Sequence, residues 1–385
     1  MPSQISGNGG GTWWTHPQAI HDGTNLYFTA TTNSMLWRVF QNSSSTFALL
    51  DTGTEQDDHN APSILARPGK DVLAFYTRHG KSNIVNWASW DRTGSFASNW
   101  TDEGNLTFSN YVTYSQLLDF EDKIFLMCRS ETGKWKYRTT LNWGTSWSSL
   151  HTFFDNSGVN IYLLFTPSET EENVWHVAGA KNPASSTEHY IIYAKINVET
   201  NKVYNFAGEI GDIYTLDGIP FSKTDFDDIE AVSGTTAKIR LLDVGDKHGK
   251  TVIYYARWGD VTSQYYQAVQ ETDGSWTHSA LGINTGALFT TAQDQAKHYI
   301  GGVALDRNNN NILYVSREAS GTWYIDKHTV NSDMTLSSAT NITSHATKKL
   351  IRPYAVRGHS SMIYQECQSY TDYNDFTIHY YKEDL

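Results

Sequence analysis

Basic residues are in short supply: 29 Lys and Arg stand against 41 Asp and Glu, a formal net charge of −12. That balance argues against a nucleic-acid partner. A polyanion can be held only where Arg, Lys and His cluster locally. Cysteine is nearly absent, the two present being Cys128 and Cys367. They allow one disulfide or two buried apolar thiols, and their spacing gives neither a disulfide framework nor a metal signature. No apolar run reaches the about 18 residues of a membrane span. Charged residues are only 18% against 39% hydrophobic, so the chain is not of the disordered class either. The N-terminal stretch has no basic region followed by an apolar one and is not a signal peptide. The expectation is an extracellular protein whose secretion signal has been removed, or a virion component. A helical stripe capped at both ends is also missing.

Aromatics are abundant, at 14%, with 13 Trp and 23 Tyr. Tyr and Trp are costly to bury without a partner for their O–H or N–H, so many are expected half-exposed at sheet edges or in a cleft. An aromatic cleft with polar tips suits sugar rings, while packing between sheets accounts for most of the others. Short alternating runs at residues 25–31, 72–77, 123–129, 251–257 and 311–317 read as strands, each after a turn signal. Thr140-Leu141-Asn142-Trp143-Gly144-Thr145-Ser146-Trp147 approximates an Asp-box turn. Degenerate copies stand at residues 89–94 and 271–276. In such a turn the side chain caps its own backbone, Gly takes positive φ and Trp packs beneath. Repeated strands and turns over this length indicate an all-β fold, a single β-propeller of seven blades at about 50 residues each. No linker divides residues 1–385, and residues 1–10 are expected to form a flexible tail.

Three segments carry candidate chemistry. Asp57-Asp58-His59-Asn60 lies on a turn entering a strand, Arg78-His79 at the end of the next, and Tyr114 and Arg129 on the strands that follow. His59 and His79 are expected to meet across one blade's ladder, with Tyr114 and Arg129 facing the same channel. A lone strand His is more often structural, Tyr114 alone reads as packing, and Arg129 alone as an ion-pair partner. Together the four are what β-elimination next to a carboxylate requires. The Arg neutralises a uronate carboxylate and acidifies C5–H. A His or Tyr takes that proton, and a second group protonates the leaving oxygen.

These segments resemble the BNR-repeat propeller family that contains the ulvan lyases. The likeness extends over residues 11–20, Thr113-Tyr114-Ser115, residues 125–129, 255–258 and 301–306, Arg352-Pro353 and residues 369–373. It implies a seven-bladed propeller acting as a polysaccharide lyase on a uronic-acid-containing, often sulfated, polysaccharide. It further implies His59, His79, Tyr114 and Arg129 as catalytic residues; proton transfer is expected on Tyr114 and His59 with His79 in support, or with the two histidines exchanging roles. Asn60, Tyr190 and Arg257 are the expected substrate contacts, Tyr193 being the rival to Tyr190. The chain departs from the family's pattern at Lys181-Asn182-Pro183, where His-Pro is usual, and at Tyr114-Ser115, where Tyr-Pro is usual. Both departures bear on subsites more than on the chemistry.

Two rivals stand beside the lyase. A sialidase-type hydrolase would draw an arginine cluster from Arg129, Arg257, Arg317 and Arg352, but no Asp or Glu stands out as its acid or nucleophile. A non-catalytic carbohydrate- or receptor-binding propeller would make the two His, the Tyr and the Arg superfluous. Elimination requires no cofactor. A structural metal is not predicted: His359 with Cys367 has no recognised ligand spacing, and residues 306–311 read as a turn rather than a calcium loop. The expected partner is an anionic polysaccharide, with no nucleic acid and no membrane, bound by a monomer.

Overall fold

The computed structural model describes residues 3–6, 11, 14–32, 34–52, 56–156, 158–182, 188–213, 220–233, 238–258, 263–286, 300–308, 311–372 and 375–384. Its strands form seven small antiparallel sheets in a ring, the expected seven-bladed propeller. Blade 1 comprises Ala19–His21, Leu26–Thr31, Leu36–Gln41 and Ser43–Thr52. Blade 2 comprises Ser63–Leu65, Val72–Tyr76, Ile84–Trp90 and Thr101–Thr107, and blade 3 Val112–Phe120, Lys123–Ser130, Lys134–Thr140 and His151–Asp155. Blade 4 is larger: Ile161–Pro167, Val174–Lys181, Glu188–Asn197, Lys202–Asn205 and Gly208–Asp212, with Asp227–Ser233 paired to Glu188–Asn197. Blade 5 comprises Lys238–Lys247, Lys250–Trp258, Ser263–Gln270 and Trp276–Asn284, and blade 6 Gly302–Leu305, Ile312–Ala319, Thr322–Thr329 and Thr340–His345.

Blade 7 takes Lys349–Ala355, Ser361–Asp372 and Asp375–Asp384 from the end of the chain and Ser3–Ser6 from its start. Ser3 pairs with Lys382 and Gln4 with Tyr381. These four residues, expected in a flexible tail, are therefore a strand. They cover the edge that the last blade would otherwise leave open. The rest of that tail lies outside the described residues.

The first strands of successive blades pack side by side around the axis, and a bridge from Ile20 to Arg357 joins blade 7 to blade 1. The second strands are covered on both faces; Leu26–Thr31 and Val72–Tyr76 are buried at every position. The axis is not an open pore. Gln18, Asp243, Arg307, Arg352 and Tyr354 line a residual cavity of ≈ 60 Å³, which has room for water and nothing larger.

The turn chemistry follows the sequence. Asp91 Oδ1 accepts from Thr93 N and Asp273 Oδ1 from Ser275 N, both at 2.9 Å, while Gly94, Gly144 and Gly274 take positive φ. A further copy at Asp333, with Thr335 N at 3.0 Å, carries no Gly and was not legible as one. Cys128 and Cys367 are unpaired buried thiols.

Candidate active site

Where the first strands begin and the second strands finish, one end of the ring gathers the chemistry. Asp57 caps a single 3₁₀ turn, Asp58–Asn60, and its Oδ1 accepts from the backbone N of His59 at 2.9 Å. The cap fixes the turn and leaves the same carboxylate facing two imidazoles. His59 Nδ1 lies 2.6 Å from Asp57 Oδ1, and His79 Nδ1 2.8 Å from Asp57 Oδ2. Asn60 Oδ1 accepts from His79 N at 2.6 Å, which pins the second loop to the first. The imidazoles stack with centroids 4.3 Å apart and planes 17° apart. The pair thus meets, but from two loops held by one Asp rather than across a strand ladder.

The two histidines are pushed in opposite directions. Burial alone would lower His59, but the charges of Asp57 and Asp58 overcome it and push it up to about 10. Burial also lowers His79, and the neighbouring His59 charge adds to that effect. A cation and a neutral base therefore stand face to face at neutral pH. Asp58 is buried; Arg352 Nη1 donates to it at 2.8 Å and Tyr370 OH at 2.6 Å. Despite its burial, these partners hold its carboxyl well below the usual range.

Tyr114 closes on this pair, its ring 5.5 Å from His59 and 6.0 Å from His79. It sits at φ 60° in a bulge where pairing with Lys123–Ser130 shifts between Thr113 and Gln116. A bulky residue in the left-handed region costs about 1–2 kcal/mol, and a bulge re-aims a side chain next to a site. Arg129, across the ladder from Thr113, lies 4.8 Å from the Tyr114 ring and 5.1 Å from that of Tyr162. Among the described residues no carboxylate pairs with Arg129. Trp14 packs on Tyr162 at 5.0 Å, and Arg240 lies 5.8 Å from Trp14. The row from His79 to Arg240 thus spans blades 2 to 5.

The remaining expected contacts are placed apart from the four. Tyr190 lies on Glu188–Asn197 of blade 4, its hydroxyl accepting from Asn156 Nδ2 at 3.0 Å. Tyr193 is instead tied inside the protein, 2.7 Å from His176 Nδ1. Arg257 is on the second strand of blade 5 and forms no ion pair among the described residues. Sequence reasoning missed Lys181 and Lys223, whose ammonium groups lie 5.7 and 4.1 Å from the Tyr190 ring centroid. It quoted Asp57 and Asp58 without a role, although an Asx cap before His59 was a usable signal.

The sialidase-type arginine cluster does not assemble: Arg317 is paired with Asp326 and Arg352 with Asp58. Among the described residues two groups have metal-ligating atoms close together, Asp57–His59–His79 and Glu169–His176–Asp246. In the first, the ligand atoms already face one another in hydrogen bonds. In the second, Arg307 and Lys247 reach Glu169 at 2.8 and 3.9 Å and already supply the positive charge. His359 lies against His21, ring centroids 4.3 Å apart and planes tilted by 33°, whereas Cys367 pairs with Ile378 in the middle of blade 7. Asp306 accepts from Asn308 N at 2.8 Å, as a turn does. Residues 309–310 of that loop, together with Pro183 and Tyr373, lie outside the described residues.

Fold and site together define a BNR-type seven-bladed propeller with a histidine–tyrosine–arginine cluster at one end. The sequence profile of the BNR repeat-containing family matches residues 26–282, and the chain belongs to that family. No curated protein matches it in sequence. Among solved structures, a polysaccharide lyase of family PL25, an ulvan lyase bound to -[GlcA(1-4)Rha3S]-, is similar with a TM-score of 0.73 at 11% identity. That likeness covers 99% of this chain and 95% of the other. Polysaccharide lyase Uly1 gives 0.61 at 11% identity over 96% and 90%. A puromycin hydrolase gives 0.54 at 8% over 94% of this chain and 50% of its own. The polysaccharide-lyase propeller is thus the fold, and a hydrolase uses a similar one, so the chemistry must be argued from the site.

Proposed function

We propose that the protein is a polysaccharide lyase cleaving a uronic-acid-containing polysaccharide by β-elimination. One observation carries the reading: a cationic and a neutral histidine share Asp57 beside Tyr114 and a guanidinium without a carboxylate partner. Arg129 receives the uronate carboxylate and stabilises the charge that develops on it as C5–H is lost. Charge balance favours His79 as the base rather than His59. Its Nδ1–H points at Asp57, which sets the tautomer with the lone pair on Nε2. The electron pair from C5–H forms the C4=C5 bond, the bond from C4 to the glycosidic oxygen breaks, and Tyr114 protonates that oxygen. His59 stays an imidazolium and opposes the negative charge of the transition state.

An anionic chain also agrees with the local cations on this face, Arg129, Lys181, Lys223 and Arg240, in a protein whose net charge is −12. The sulfated, ulvan-like polymers named by the resemblance are the first substrates to try. Work outside the cell is the setting in which such polymers are met.

The test is ultraviolet absorbance of the unsaturated uronate during incubation with ulvan, glucuronan, alginate, pectate and bacterial capsules. A rising signal that falls by roughly 10²–10⁴ in Tyr114→Phe supports the assignment. New reducing ends without the chromophore would replace it with hydrolysis, and binding without either would make this a recognition propeller.

A further inference from the structure

The opposite end of the ring carries a second cavity, between blades 2 and 3, of ≈ 650 Å³. Its size falls within the ~300–1,000 Å³ of small-molecule sites. The Asp-box turn of residues 140–147 forms one wall. Asn142 Oδ1 accepts from Ser146 N at 3.0 Å, and Gly144 at φ 95° brings the backbone against Trp87. A Cβ on Gly144 would come within 3.2 Å of the Trp87 ring, so only glycine permits this approach.

Three indoles border the cavity: Trp87 and Trp143 are buried, Trp87 with a face stacked on Phe75, and Trp147 is half-buried. Trp87 and Trp147 meet edge-on at 6.0 Å and 73°. Trp143 is held by its Nε1, which donates to Asp71 O at 3.0 Å. The polar lining comprises two carboxylates, Asp71 and Glu103, one guanidinium, Arg138, and neutral groups such as Ser89 and Asn105; Glu103 Oε1 already accepts from Ser89 Oγ. Asp71's carboxylate has no hydrogen-bond partner among the described residues. Partial desolvation first, and the charges of Asp91 and Glu103 next, push its carboxyl up. The only guanidinium at the wall, Arg138, is engaged with Ser148 O at 2.5 Å and Thr107 O at 2.6 Å.

We infer that this cavity is a second carbohydrate-binding site, taking a neutral pyranose unit and independent of the site at the other end. The half-buried indole of Trp147 offers ring surface to the C–H face of a sugar, and carboxylates accept hydrogen bonds from its hydroxyls. The same carboxylates, with the nearby arginine already engaged, repel uronate and sulfate. The two ends thus divide the labour: one receives charged units for chemistry, the other holds uncharged units of a polysaccharide. Attachment at a distance from the cut raises the effective concentration of chain at the first site.

The inference is tested with methyl glycosides of a neutral hexose, a 6-deoxyhexose and a pentose, with methyl glucuronide as the charged control. Binding is read by indole fluorescence and saturation-transfer NMR on the full chain. At least one neutral glycoside is expected to bind wild type and Tyr114→Phe equally. Its Kd should rise about ten-fold or more in Asp71→Ala and in Trp147→Phe. Asp71 is exposed, so its variant folds even if the Trp147 change loosens the turn. Absence of binding by every neutral glycoside overturns the inference, as does preference for the glucuronide or undiminished binding by Asp71→Ala. Loss of binding in Tyr114→Phe would place the sugar at the other end and equally overturn it.

Discussion

Arg352 and Asp58 form a buried ion pair, Nη1 to Oδ2 2.8 Å, between residues 294 apart in sequence. Arg352 belongs to the first strand of blade 7, at φ 50° in a bulge between Ile351 and Tyr354. Asp58 belongs to the turn that carries His59. The pair ties the closing blade to the histidine turn and keeps Asp58 ionised beneath His59.

Removing one partner strands the other charge in the interior, which costs roughly 3–5 kcal/mol. Arg352→Met is expected to lower the urea midpoint accordingly. Adding Asp58→Asn should recover part of the loss, since the two sites are coupled. A midpoint equal to wild type in Arg352→Met would mean the pair is not the tie described.

The histidine pair sets opposite pH limbs. His59 is raised on folding, so its contribution is complete below about 6.5 and is lost as pH climbs through about 10. Asp58 is lowered, so its contribution is present above about 3.9 and lost in acid. His79 is lowered, so it remains a neutral base to below about 6.5. The acid limb of kcat/KM is expected below that value. The unfolding midpoint should decline from near neutral toward pH 10, and this decline should flatten in His59→Gln. An unchanged slope in that variant would remove the imidazolium from the account.

Arg129 stands over two rings and pairs with no carboxylate among the described residues. Arg129→Ala should therefore leave the melting temperature within a few degrees of wild type while lowering kcat by roughly 10²–10³. Normal turnover in that variant would mean that some other group neutralises the uronate.

The legible part of the fold has a physical pattern. The runs read as strands near residues 26, 72, 123, 251 and 312 are all second strands of their blades. These are covered on both sides and keep β-branched and aromatic residues throughout. Outer strands such as Thr101–Thr107 are largely exposed and carry no such signature. Ser3–Ser6 has three polar residues and one apolar one, too little to read as a strand, and becomes one by pairing with the last strand as the ring closes. In the site, the sequence reading named His59, His79, Tyr114 and Arg129, and the structure brings the four together. That Asp57 would serve both histidines, and that Arg352 would reach Asp58 across the ring, are tertiary facts with no local trace.

Under the proposed lyase reading, Lys181, in the segment that departs from the family's His-Pro, is the expected subsite residue. Lys181 is cross-strand to Ile161, the neighbour of Tyr162, and with Lys223 it lies over Tyr190. Among the described residues each lysine pairs with one exposed acid, Glu188 at 4.0 Å and Asp228 at 3.6 Å. An anionic unit of the bound chain can displace those weak pairs. Each cation–ring contact is worth about 0.5–1 kcal/mol, so Lys181→Ala or Lys223→Ala should raise KM for the polymer about two- to five-fold. kcat should stay near wild type, because uniform binding is what is lost. Added salt screens such charges over about 8–10 Å and should raise KM steeply in wild type and less in the double variant. An unchanged KM with a lower kcat would instead place the lysines in the chemical step.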